Sequence, residues 1–462
     1  MTGNKAPQRE TITLTIDGLT HAGEGVGRHG TLVVFVPEAA PGETVLAEVD
    51  RWHKNYARAR LVEVLDPSPA RREPFCPHFP TCGGCHLQHV VYPEQLRLKT
   101  ALVRDSLTRL AGLPGVVVRD TLGMAGDSLH YRNKVHFQVD RREGRIVLGY
   151  YGEKSHTLTP LFPGDSPEPG CLLAAPGLGT AAAVIQELLN ATGAGQGDRF
   201  FRHVLLRKGL GTGETMVVLV TAPGPWPEER DFATQLVERR PDIRAVVRNL
   251  HDGPAGILPG RKNRILAGQP VLTDRLGHLR LRVSPASFYQ VNPAQTTVLY
   301  RQAATFAALS GRETVLDAYS GVGSLALWLA GRARRVIGLE IEPAAVTDAR
   351  SNAALNRLTN VEFENGDVAE LLPALASAGV VPDVVMLDPP RRGCSRTVLE
   401  TLAVLEIRRV VYLSCDPGTL ARDLSYLVGR GYRVEEVQPV DMFPWTPHIE
   451  VAVRLSRRST TS

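Results

Sequence analysis

From Gly311 onward, short β-branched runs alternate with helical stretches, and that alternation leaves few architectures open. Residues 314–318, 336–340, 361–363, 384–388 and 410–415 read as strands, and residues 324–330 and 343–356 as two of the helices between them. Parallel strands need a crossover connection, usually a helix, so this rhythm predicts an α/β, doubly wound, Rossmann-like sheet. Ligands of such sheets bind beyond the carboxyl ends of the strands. The residues at those ends are therefore the first candidates for chemistry.

At 462 residues the chain is too long for one ordinary core and predicts several domains. Residues 11–65 alternate apolar and polar, as in Ile12-Leu14-Ile16, Val45-Ala47-Val49 and Leu61-Val62-Val64, with turns at Asp17-Gly18 and Pro41-Gly42. Five short strands in so small a space predict an OB-like β-barrel. At its exit, Arg51, Trp52, His53, Lys54, Asn55, Tyr56, Arg58 and Arg60 interleave cations with aromatics. That pattern suits a phosphate backbone with unstacked bases, and equally a solvated strand face. A Pro- and Cys-rich segment (67–89) and a helix (93–111) follow. Residues 121–284 mix strands (134–139, 204–207, 216–220, 245–248) with one apolar helix around 181–189, an α+β middle domain whose 161–176 loop carries Cys171. The expected boundaries are 8–66 for the barrel, 67–284 for the middle domain and 285–462 for the catalytic domain.

Net charge is +5, a weak pointer to an anionic partner. No apolar run approaches the roughly 18 residues that span a bilayer, and residues 1–10 are polar, without the apolar core of a signal peptide. A cytoplasmic location with no membrane partner is expected, and no obligate protein partner is implied. The six cysteines, Cys76, Cys82, Cys85, Cys171, Cys394 and Cys415, then point to metal binding, catalysis or burial rather than disulfides.

The first strand of the sheet runs into Asp317-Ala318-Tyr319-Ser320-Gly321-Val322-Gly323-Ser324. Glycines at that turn let a ligand approach the backbone at a helix N-terminus. The second strand ends at Glu340, 19 residues after Gly321, where a carboxylate can accept from both ribose hydroxyls. Both features fit NAD as well as S-adenosylmethionine. The fourth strand ends in Asp388-Pro389-Pro390-Arg391-Arg392-Gly393, and this turn resembles the substrate-side loop of nucleic-acid methyltransferases. Asp367, after the third strand, sits where such enzymes contact the adenine.

The fifth strand ends in Ser414-Cys415, followed by Asp416-Pro417-Gly418-Thr419. Asp416 is a good N-cap and Pro417 suits a first helical position. Cys415 thus stands at a sheet's active edge beside a helix N-terminus, whose positive end is expected to lower its thiol pKa, with Asp416 partly opposing. In a nucleic-acid methyltransferase such a cysteine would meet one particular need, because carbon 5 of a uracil base is too poor a nucleophile to take a methyl group unaided. Thiolate addition at carbon 6 generates an enolate that carries nucleophilic character to carbon 5. A base must then remove the carbon-5 proton, and the candidate is Glu450 in Pro447-His448-Ile449-Glu450.

Over nearly its whole length the chain resembles the RNA (uracil-5-)-methyltransferase family. Residues 414–423 look like the family's catalytic cysteine segment, His448-Ile449-Glu450 like its base motif, and Ser287-Phe288-Tyr289-Gln290-Val291-Asn292 like the segment whose Gln contacts S-adenosylmethionine. Tyr319, Glu340, Asp367 and Asp388 fall on the other cofactor positions, and Ser324 stands where some members have Asn. Tyr131-Arg132-Asn133-Lys134 resembles a middle-domain motif near the RNA, and the barrel resembles the TRAM domain, an RNA-binding module. Cys76, Cys82 and Cys85 (C-x5-C-x2-C) with distant Cys171 form the pattern of members that carry a [4Fe–4S] cluster. Four thiolates by themselves suit an iron–sulfur cluster or tetrahedral zinc, and the three-plus-one spacing is unlike the paired knuckles of zinc ribbons. Cys394 has no partner in these patterns. A TRAM domain together with a cluster implies a bacterial 23S rRNA substrate; a tRNA enzyme and a dual-site rRNA enzyme share similar parts. An NAD-dependent oxidoreductase leaves Cys415 and the Asp-Pro-Pro turn without purpose. An exocyclic amino methyltransferase needs no cysteine, and a non-catalytic RNA-binding iron–sulfur protein needs no Cys415 and Glu450 at a cofactor site.

Overall fold

The computed structural model describes residues 10–458 except 127, 154, 156, 162–169, 194, 198, 254–259 and 261. Most of the polar N-terminal stretch, much of the loop expected at 161–176, and the outer limits of the expected barrel and catalytic domain lie outside the described residues.

Strands β1 (Thr11–Leu19), β2 (Gly25–His29), β3 (Leu32–Val36), β4 (Thr44–Trp52) and β5 (Tyr56–Asp66) close into a barrel in the order β1-β2-β3-β5-β4. Alternation drives it: Ile12, Leu14 and Ile16 are buried while Thr11, Thr13 and Thr15 face solvent. Closure leaves no unpaired edge. Helix α1 (Tyr92–Arg109) follows a Cys-rich connection.

A second sheet combines β6 (Lys134–Arg142), β7 (Arg145–Tyr151), β8 (Leu158–Pro160), β9 (Phe201–Lys208), β10 (Thr215–Thr221), β11 (Ile243–Leu250) and β12 (Lys262–Gly268), in the order β12-β11-β10-β9-β6-β7-β8. Its core takes in α2 (Leu178–Thr192) and α3 (Glu229–Arg239). The second of these helices corrects the expectation of one. Its apolar stripe is only Phe232, Ala233 and Leu236 among charged neighbours, and it shows as a face only once packed.

The hairpin of β13 (Leu272–Leu276) and β14 (Leu279–Val283) and helix α4 (Pro293–Ala307) lead into the third sheet. Its strands are β15 (Thr314–Ala318), β16 (Arg335–Glu340), β17 (Val361–Asn365), β18 (Val384–Leu387), β19 (Arg409–Ser414), β20 (Tyr432–Val440) and β21 (Glu450–Arg457). The order is β17-β16-β15-β18-β19-β21-β20, with the first five parallel and β21 antiparallel to both neighbours. Helices α5 (Ser324–Ala330), α6 (Pro343–Leu355), α7 (Val368–Ser377), α8 (Arg396–Val404) and α9 (Pro417–Val428) complete the crossovers. The central strands are almost wholly buried, as parallel strands covered on both faces must be. Helix α1 packs on α9 and β20, placing Val103 and Leu107 in this sheet's core, and the β13–β14 hairpin contributes Leu276, Leu279 and Leu281 to the opposite layer. From β15 the chain winds outward through β16 and β17, then returns to β18 on the other side, which opens a crevice above β15 and β18. Among the described residues no helix is long and apolar enough to cross a membrane.

Candidate active site

The turn after β15 folds over that crevice. Tyr319, Gly321 and Gly323 all have positive φ, at 72°, 54° and 81°. A Cβ on Gly323 would sit 2.7 Å from the Phe363 ring and 3.1 Å from Ala349, so backbone and space both demand glycine there. For tyrosine this conformation is strained, as often happens where a site over-determines its backbone. The turn directs the Gly321 N–H to Glu340 (2.9 Å), whose other oxygen accepts from the Glu342 N–H (2.8 Å). Gln290, Tyr319, Ser324 and Asp388 line one pocket here, with Phe288, Tyr300, Asp317 and Ser320. Glu340 adjoins it through Gly321. Asp367 is exposed and caps α7, accepting from the Ala369 N–H at 2.8 Å, and does not line the pocket.

Sequence reasoning assigned no role to Asp317, Tyr300, Phe288 or Ser320. Asp317 is 1% exposed, and neither carboxylate oxygen has a hydrogen-bond partner. Burial, then the Asp388 charge, holds its carboxyl far above the usual range. A buried, unanswered carboxyl in a pocket wall is a site for a cationic or donor group of a ligand. The available signal was an acidic residue inside an apolar strand just before a glycine turn. Tyr300 donates to or accepts from the Ser324 hydroxyl (2.7 Å), and Phe288, 66% exposed, stands at the mouth.

The loop after β18 is clamped from α9. Thr419 Oγ1 donates to the Arg391 carbonyl (3.0 Å), Arg422 to the Arg392 carbonyl (2.9 Å), and buried Asp423 accepts from the Cys394 N–H (2.8 Å) and the Tyr412 hydroxyl (2.7 Å). Cys394, without a role in the sequence patterns, is thus part of the clamp. Asp416 caps α9 by accepting from the Thr419 N–H at 2.8 Å. Cys415 therefore stands beside a helix N-terminus as expected, but its thiol is pushed up to about 12 rather than down. Burial is the main cause, followed by the Glu450 and Asp388 carboxylates, with Arg391 opposing. The expected lowering is overturned because desolvation and two carboxylates outweigh one helix terminus. Glu450 is itself 5% exposed and is held well above the usual carboxylate range by burial and Asp388, again against Arg391. His448 is pushed down to about 4 by burial and surrounding cations, so it is neutral at physiological pH. A thiol, two perturbed carboxyls and an arginine thus lie close together beside the pocket, a set that includes a candidate nucleophile and candidate proton acceptors.

Across the molecule, Cys76, Cys82, Cys85 and Cys171 line a single cavity of about 450 Å3, with Phe75, Tyr150 and Arg132. Burial raises Cys82 to about 11 and Cys85 to about 12; the neighbouring thiols add to this, and Arg132 opposes. Among the described residues no group of three His, Cys, Asp or Glu could hold one metal ion. On the barrel, His53 stacks on Tyr56 (4.3 Å between centroids), Trp52 is exposed, and Arg58 lies over the Phe35 ring. Arg58 is paired with Glu24 and Arg60 with Glu48 (3.3 Å), so of the four cations at the barrel's exit Arg51 and Lys54 are the two without an ion pair to a described residue.

The sheet, its glycine turn and the clamped Asp-Pro-Pro loop have the form of an α/β domain that binds a nucleotide-containing cofactor, joined to a closed five-stranded barrel. Residues 260–458 match the family described as tRNA (uracil-5-)-methyltransferase, and residues 5–62 match the TRAM domain. An uncharacterised RNA methyltransferase of Halalkalibacterium halodurans is 40% identical, over 97% of this chain and 98% of that protein. One of Clostridium tetani is 35% identical over 97% of each. The solved tRNA (uracil-54, C5)-methyltransferase of Pyrococcus abyssi, in complex with S-adenosyl-L-homocysteine, superposes with a TM-score of 0.75 at 26% identity, over 96% of this chain and 99% of that one. The chain belongs to the RNA (uracil-5-)-methyltransferase family and is an S-adenosylmethionine-dependent enzyme of that family.

Proposed function

We propose that this protein methylates carbon 5 of a specific uridine in 23S rRNA through a covalent cysteine–uracil intermediate. The observation that carries this reading is the convergence of Cys415, Glu450 and Arg391 beside the pocket of Gln290, Tyr319, Ser324 and Asp388. S-adenosylmethionine supplies the electrophilic methyl group. The buried Asp317 carboxyl in the pocket wall suits its cationic portion, and the family resemblance gives the ribose to Glu340 and the adenine to Asp367, which stands outside the pocket lining. With the substrate in place Cys415 gives up its proton to water, Arg391 favouring the thiolate, and its sulfur bonds to carbon 6 as the electrons of the 5,6 double bond move onto the carbon-4 oxygen. The resulting enolate takes the methyl group at carbon 5, the donor's carbon–sulfur bond breaks, and S-adenosylhomocysteine leaves. Glu450 then takes the carbon-5 proton, the electrons of that C–H bond restore the ring double bond, and the carbon–sulfur bond breaks. A carboxyl held above its usual range is a better match to a general base working near neutral pH.

Cys76, Cys82, Cys85 and Cys171 hold a [4Fe–4S] cluster in this reading. The four thiols line one cavity although Cys171 is distant in the chain, and their three-plus-one spacing is unlike the paired knuckles of zinc ribbons. The buried Arg132 cation supports a negatively charged occupant. The cluster pattern together with the TRAM domain favours rRNA. A tRNA substrate is the second reading, supported by the Pyrococcus abyssi enzyme.

Labelled S-adenosylmethionine, offered with unmodified 23S rRNA and tRNA in parallel, separates the readings. Label as 5-methyluridine in rRNA is expected; label in tRNA alone moves the substrate, and label on an exocyclic nitrogen rejects the chemistry. Cys415→Ala should form neither adduct nor product. Glu450→Gln should trap a denaturation-resistant protein–RNA adduct already carrying the methyl group, as 5-fluorouridine RNA should with the unmutated enzyme.

A further inference from the structure

Residues 441–449 connect β20 to β21 and end at Glu450. Val440 and Glu450 already face each other across adjacent antiparallel strands, and a two-residue turn suffices to join such a pair. The chain instead inserts a long loop and buries it: Asp441 and Met442 are fully buried, Thr446 is 1% and Trp445 4% exposed. Buried loops are rare because every backbone polar group must find a partner.

Here five successive carbonyls are answered from outside the loop. Asp441 O accepts from Gln295 (2.9 Å), Met442 O from Asn292 (3.1 Å), Phe443 O from Lys99 (3.2 Å) and Pro444 O from the Tyr131 hydroxyl (3.1 Å). Trp445 O accepts from the backbone N–H of both His86 and Leu87, each at 3.0 Å and immediately beyond Cys85. The Trp445 N–H donates to Gln95 Oε1 (3.0 Å), and the Gln95 amide nitrogen donates to Leu87 O (3.1 Å) and Val90 O (2.9 Å). Lys99 also binds Asp441 at 2.6 Å, both side chains being fully buried. Trp445 has φ 68°, an outlier for an aromatic residue that persists only where surroundings over-determine it.

We propose that the 441–449 loop is a rigid brace for Glu450, and that Gln95 and Lys99 of α1 are positioning residues for proton abstraction. The proposal rests on the reading of Glu450 as the base. The partners of Gln95 and Lys99 (Leu87, Val90, Trp445, Asp441 and Phe443) do not line the pocket above β15 and β18, so cofactor binding and methyl transfer are expected to survive when the brace is loosened. The step that needs Glu450 does not.

Two variants of the full chain test it. Lys99→Met combined with Asp441→Asn removes the buried pair without stranding a charge. Gln95→Met removes the amide with little change in volume. Thermal unfolding and S-adenosylmethionine affinity establish that each is folded, and either one suffices. Single-turnover methyl transfer is expected to stay near the unmutated rate. Release of free product should slow, on the order of a hundredfold for a misplaced group, while methylated protein–RNA adduct accumulates. Equal loss of transfer and release without adduct, or unchanged turnover, overturns the proposal. Glu450→Gln is the reference: if it accumulates adduct and the brace variants do not, the brace alone is wrong. If Glu450→Gln accumulates none, the base assignment fails and takes the brace with it.

Discussion

In the resting protein Cys415 should be a dormant thiol, and alkylation tests this directly. Burial beside Glu450 and Asp388 raises it from an ordinary 9.0 to about 12. At pH 8 an ordinary thiol is about one-tenth thiolate, whereas one near 12 is about one part in ten thousand, so alkylation should be about a thousandfold slower than at an unperturbed site. Iodoacetamide labelling of the Cys415 peptide, followed by mass spectrometry between pH 7 and 10, should give a rate that climbs about tenfold per pH unit with no plateau. Arg391 is a cation facing the thiol, and Arg391→Gln should slow labelling further. A plateau near pH 8, or faster labelling of the Arg391 variant, would show that the helix terminus wins over burial and refute the reasoning.

Anaerobically purified protein should contain iron and sulfide, stoichiometric zinc without iron would exclude the cluster, and Cys82→Ser should lower thermal stability more than single-turnover methyl transfer. RNA affinity should fall with salt, and Arg51→Gln and Lys54→Gln should each reduce the salt slope by about one, while Arg58→Gln, whose charge is engaged by Glu24, should change it less. Trp52→Ala should weaken binding by about 1–3 kcal/mol if a base stacks on it, measured by fluorescence anisotropy. Gly323→Ala should destabilise the catalytic domain by about 1–3 kcal/mol through overlap with Phe363 and should weaken S-adenosylmethionine binding, read by denaturant unfolding and calorimetry.

The residues that determined fold and cofactor class from sequence alone are those whose neighbours in the chain are also their neighbours in space. Residues 314–318 and 384–388 read as strands because parallel strands buried on both faces are largely continuous apolar runs, and the structure forms them at 314–318 and 384–387. The glycine turn, the Asp-Pro-Pro turn and the capped start of α9 are likewise local and were legible as such. What the tertiary structure alone decided depends on groups brought together from afar. The direction of the Cys415 shift comes first from burial and then from Glu450 and Asp388, carried by other segments of the chain. The pairing of Arg58 with Glu24 withdraws a charge that composition counts as free. Cys171 lines the cavity of Cys76, Cys82 and Cys85 although it is far from them in the chain, and Lys99 meets Asp441 from 342 residues away. Strand and turn preferences act over a few bonds, whereas desolvation and Coulomb interactions act through space, so the chemistry of each site appears only when distant segments have packed.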